Sequence, residues 1–136
     1  MSRMRSGMSK KNKYWIPNER YLELKHFCLQ YDDWWKECMS TLYHSKGHSI
    51  IQISKDCKIF DPTSEAAINA RKYVQKIELI HHCAEQANFD IWKWIVQGVT
   101  EDLGYEALKM RGIPCGKDYY YESYHKFFYI LDKARK

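Results

Sequence analysis

The chain has no uninterrupted apolar stretch near the roughly 18 residues that a membrane-crossing helix requires. Nor does its basic start lead into the roughly 7–15-residue apolar core of a secretory signal. Only three prolines and six glycines punctuate 136 residues, so long helical stretches go unbroken and collagen-like or low-complexity classes are excluded. There is no C-x-x-C pair, no G-x-S-x-G elbow, no phosphate-binding P-loop and no dinucleotide glycine run. The five cysteines, Cys28, Cys38, Cys57, Cys83 and Cys115, are odd in number and widely spaced. That pattern reads as reduced thiols rather than a disulfide frame, and implies a cytoplasmic protein.

Acidic residues are missing from one place in particular. Residues 1–13 carry Arg3, Arg5, Lys10, Lys11 and Lys13 and no acid. All 17 acids lie beyond them, together with 17 of the 22 bases, so residues 14–136 are neutral and the net charge of +5 sits in the first 13. Within the remainder, residues 104–136 hold seven bases against four acids, and the middle of the chain is slightly acidic. Basic ends of this kind suit a polyanionic partner. Residues 1–13 are expected to be a disordered basic arm.

What the chain does have is apolar and aromatic content, 45% and 15%, enough for a single core without staples. One helical domain is expected over 14–136. Tyr14-Trp15-Ile16-Pro17 is an apolar lead-in whose proline can open a helix. Tyr21, Leu24, Phe27 and Cys28 then follow helical spacing. Asp32 or Asp33 is the expected cap of a second helix, running from Trp34 to about Tyr43 with Trp35, Cys38, Met39 and Leu42 as its stripe. Residues 44–62 read as a short β-hairpin or an irregular loop. Asp61-Pro62-Thr63 begins a long helix to about Ala87 whose buried face is Ala66, Ala70, Val74, Ile77, Ile80 or His81, and Ala84. Asp90 is expected to cap a helix through Trp94, Ile95 and Val99. The fold class is therefore all-α, a multi-helix domain.

Residues 90–136 carry the strongest pattern. A helix over 90–101, a short helix over 105–111, a glycine-containing connection over 112–116 and a helix over 117–134 make a helix–turn–helix order. Tyr120, Tyr124, Phe127 and Leu131 form the buried stripe of the last helix. Its opposite side would be free to enter a DNA major groove, with Lys117, Tyr119, Glu122, Ser123 and Lys126 toward base edges and Lys109 and Arg111 toward phosphates. Glu122, Ser123 and His125 on that side keep its charge low, which weakens phosphate attraction.

Gly112-Ile113-Pro114-Cys115-Gly116-Lys117-Asp118 with Phe127-Phe128-Tyr129-Ile130-Leu131, together with Asp61-Pro62-Thr63, Lys76-Ile77-Glu78-Leu79-Ile80 and Val99-Thr100-Glu101, resembles a family of small proteins encoded by phages and prophages of Gram-positive bacteria. The resemblance covers most of the chain after the basic segment. It implies a late-gene transcriptional regulator whose C-terminal part is similar to region four of bacterial sigma factors, acting on double-stranded DNA in the host cytoplasm and without catalysis.

Other chemistry is thinner. His44, His48, Cys57, His81, His82 and Cys83 raise a zinc site, but structural zinc wants two ligand pairs and only one has the spacing. No metal or cofactor is expected. Among the tryptophans, Trp34 and Trp35 are neighbours and cannot both face one core. Trp15, Trp34, Trp35 and Trp92 are the candidates for a protein-facing surface. The alternative function is accordingly an interaction module that modulates a host complex such as RNA polymerase, packaging or defence machinery. A small packaging subunit is a third reading, and the oligomeric state is open.

Overall fold

The computed structural model describes residues 11–41 and 65–135. Among these there are six helices and no strand: α1 (Asn18–Leu29), α2 (Tyr31–Thr41), α3 (Glu65–Ala87), α4 (Trp92–Thr100), α5 (Tyr105–Met110) and α6 (Lys117–Ala134). The protein is all-α. The hairpin or loop expected at 44–62, the zinc candidates His44, His48 and Cys57, and the first ten residues of the basic arm lie outside the described residues. The single domain expected over 14–136 divides into two compact units. One gathers the described residues up to Leu29 and from Ile80 onward, and the other is Gln30–Leu79.

In the larger unit α6 is the hub, packing on α1, α4 and α5. Its buried positions are Tyr120, Ser123, Tyr124, Phe127, Phe128 and Leu131, a stripe with the 3–4 residue spacing of one helix face. α1 answers with Tyr21, Leu24, Phe27 and Cys28. The Tyr21 ring meets Phe128 edge-on at 5.1 Å, and its hydroxyl lies 2.8 Å from that of Tyr124. Each fully buried aromatic of this kind contributes roughly 1.5–3 kcal/mol through removal from water. Polar contacts frame the same interface, with Arg20 donating to the Asp132 carboxylate at 2.6 Å and the Arg135 guanidinium 3.9 Å over the Phe27 ring.

α1 begins where Pro17 ends its constraint, and the Pro17 carbonyl accepts the first helical bond, from Tyr21 N–H. α4 shows a correction. Asp90 is not its cap; Ile91 holds that position with no side-chain bond. Asn88 organises the turn instead, its Oδ1 accepting from the Asp90 N–H at 3.0 Å. Against α6, α4 offers Gly98, where an added methyl would collide with the Tyr120 hydroxyl.

The smaller unit consists of Gln30, α2 and the Glu65–Leu79 part of α3. Trp34 and Cys38 on α2, and Ala70, Val74 and Ile77 on α3, are its buried side chains. Cys38 Sγ lies 3.6 Å from the Ala70 carbonyl, and Lys76 Nζ sits 5.6 Å from the Trp34 ring centre. α2 starts at Tyr31, earlier than expected, because Asp32 and Asp33 occupy its first turn rather than its cap. Carboxylates there face the positive end of the helix dipole.

Candidate nucleic-acid interface

The α5–α6 connection is built by local backbone chemistry. Gly112 takes a φ of 99°, the left-handed side that an L side chain rarely adopts. Gly112 N–H then reaches the Lys109 carbonyl at 3.0 Å and Ile113 N–H the Leu108 carbonyl at 3.1 Å. This pair of bonds is a Schellman closure, and its hydrophobic contact is supplied by Leu108 and Ile113, both buried. Pro114 follows, where it cannot prolong the helix. Gly116, in extended conformation, opens α6 without a side-chain cap.

Two tyrosines lace this connection. The Tyr105 hydroxyl donates to the Cys115 carbonyl at 2.7 Å, tying the start of α5 to the loop. The Tyr105 N–H, an amide without a partner inside its own helix, donates to the Tyr121 hydroxyl of α6 at 2.9 Å. The short helix is thus set against the long one by side chains reaching in both directions.

The outward residues are those ahead of the core stripe. Lys117, Asp118, Tyr119 and Glu122 are exposed, and Lys126 is half-buried. Lys109, Met110 and Arg111 are exposed at the end of α5, with Met110 91% accessible. Arg111 is held, its Nη1 lying 3.2 Å from Glu101 Oε1 and 3.0 Å from Gln97 Oε1. Ser123 is a correction: it is 6% accessible, accepts from Asn88 Nδ2 at 2.9 Å, and reaches the Tyr119 carbonyl at 3.2 Å. The turn before α4 covers it, so it cannot touch a base edge.

A second feature was not legible from the pattern. Tyr14 lies across the outer side of α6. It lines a groove with Tyr119, Glu122, Ser123 and Lys126 against Ala87 and Asn88. A neighbouring groove brings Lys13 and Tyr14 beside Asp118, Tyr121, Glu122 and His125. The Tyr14 ring lies 5.7 Å from that of Tyr129, so the lead-in runs toward the middle of α6. What remains open for a groove in DNA is the first turn and a half of α6. Charge along it is balanced, Lys117 and Lys126 against Asp118 and Glu122.

Of the tryptophans, Trp34 is corrected: at 3% accessible it belongs to the core of the smaller unit. Trp15, Trp35 and Trp92 are half-buried. Phe89, 72% accessible in the turn before α4, is an exposed aromatic that the sequence pattern did not single out. Because it follows Asn88, it stands next to the residue that holds Ser123.

The remaining titratable chemistry points inward. Burial pushes the Cys28 thiol up and that of Cys83 to about 11, so both stay protonated and are poor nucleophiles. Among the described residues no group of three or more His, Cys, Asp and Glu side chains could hold a metal ion, and no helix is long and apolar enough to cross a membrane. Compared with known proteins, the chain matches no family, no curated protein and no solved structure.

Proposed function

We propose that this chain is a double-stranded DNA-binding regulator of transcription of the phage type, reading the major groove with the first turn and a half of α6. One observation carries the reading. α6 is anchored on three helices along its middle and far end, yet leaves Lys117, Tyr119 and Glu122 outward immediately after a tightly closed turn. In helix–turn–helix proteins it is the N-terminal residues of the second helix that contact base edges. Lys109 and Arg111, exposed at the end of α5, are placed in sequence where phosphate contacts would fix register.

The test is a fluorescence-anisotropy titration of the full chain with duplex DNA at low salt. Binding is expected, and Lys117→Ala and Lys126→Ala should each weaken it and lower the slope of log affinity on log salt by about 1. Absence of binding to any duplex refutes the reading. The alternative, a module that docks on a host protein such as RNA polymerase, is favoured by the balanced charge of α6 and by the exposure of Tyr119 and Phe89. It predicts a complex that survives nuclease treatment and is lost in Phe89→Asp.

A further inference from the structure

The proposed DNA-reading surface poses an electrostatic question. Affinity for DNA comes largely from cations placed on phosphates. Yet Asp118 and Glu122 cancel Lys117 and Lys126 on α6, and Arg111 is engaged by Glu101. The unbalanced charge of the whole chain, +5, resides in residues 1–13.

The base of that segment is fixed in place. Asn12 forms a small turn in which its Oδ1 accepts from Tyr14 N–H at 2.8 Å and its carbonyl accepts from Trp15 N–H at 3.0 Å. This turn delivers Tyr14 onto α6, where it packs against Tyr129 and borders the groove formed by Glu122 and Lys126. Lys13 Nζ stands 5.1 Å from the Tyr14 ring centre, and Lys133 Nζ stands 4.5 Å from that of Tyr129. Cations therefore line the edge of α6 on which the basic segment is rooted.

We infer that the basic N-terminal segment and α6 engage the same duplex, the segment lying on the phosphates that border the groove α6 enters, with Tyr14 as the fixed point between them. This rests on the DNA reading above. The division of labour is physical: α6, nearly neutral, contributes discrimination, and the segment contributes attraction. A polypeptide rooted this close to a groove-reading helix can follow the backbone or reach the adjoining minor groove. Its attachment next to α6 keeps its local concentration high once the helix has docked.

Two variants test the inference on the full chain, using a fluorescent mixed-sequence duplex. Replacing Arg3, Arg5, Lys10 and Lys11 together with Gln removes four charges while leaving the Tyr14 seat intact. The expected result is a salt slope shallower by about 3–4 and binding at least about tenfold weaker near 50 mM salt. Tyr14→Ala keeps every charge but unseats the segment; binding several-fold weaker is expected, with the helical circular dichroism retained. If the wild-type chain binds and either variant binds as tightly as it does, the inference is overturned while the DNA reading stands. Tighter binding by the Gln variant overturns it too, because the segment would then be lying on Asp118 and Glu122 and competing with DNA. If the wild-type chain binds no duplex, both fall together.

Discussion

Tyr120 carries a buried hydroxyl that meets no hydrogen-bonding partner among the described residues. Burial pushes its ionisation far above the ordinary tyrosine value, so the group is a neutral dipole in an apolar setting. Leaving such a group unmade costs about 1–3 kcal/mol, and removing it can be neutral or favourable. Tyr120→Phe is therefore expected to leave the urea midpoint unchanged or raised. The same hydroxyl fills the space beside Gly98. Gly98→Ala should destabilise by about 1–3 kcal/mol through overpacking, despite alanine's better helix propensity. In a Tyr120→Phe background that penalty should shrink or vanish, because the colliding atom is gone. An identical penalty in both backgrounds would show that the close approach is not its cause.

Among the elements, α5 is short enough that its six residues cannot hold themselves together. It is kept by the Schellman closure at one end and by Tyr121 at the other. Tyr121→Phe removes the acceptor for the Tyr105 amide; the expected loss is about 1 kcal/mol, seen as faster hydrogen exchange in α5 with α1 and α4 unaffected. Periodicity made the elements legible: the stripe Tyr120, Tyr124, Phe127 and Leu131 and the face Ala70, Val74, Ile77, Ile80 and Ala84 are buried as their spacing implied. Ala66 lies outside the residues whose side chains are described. What spacing could not give was tertiary choice. Ser123 lies on the edge of the α6 stripe and is covered only because Asn88, 35 positions away, reaches it. That one of Trp34 and Trp35 faces inward followed from adjacency; that it is Trp34 depended on Lys76 and the packing of α3. Asp90 looked like a cap because an acid precedes an apolar helix, but Asn88 makes the turn one step earlier. The seat of Tyr14 on α6 joins positions 115 residues apart, which no local rule addresses.

For the molecule as a whole, acid should be destabilising through an identifiable group. His81 is half-buried against Trp92, with ring centres 5.4 Å apart. Burial lowers its pKa below the ordinary 6.5, with Glu85 opposing in part. The unfolded chain therefore takes up this proton first. The stability tied to His81 is present above pH 6.5 and is lost as the pH falls through the lower folded value. Urea midpoints measured across that range should decline, and His81→Gln should flatten the decline. A decline of equal steepness in the variant would assign the acid sensitivity elsewhere.

The bond between Tyr21 and Tyr124 has a consequence for how the chain is made. It joins residues 103 positions apart, and at ribosomal speeds of about 5–20 residues per second α1 emerges roughly 5–20 s before the helix that covers it. During that interval Leu24, Phe27 and Cys28 have no lid, and a nascent chain is at its stickiest. Slowing translation between the two helices should increase aggregation even though the finished protein is unchanged.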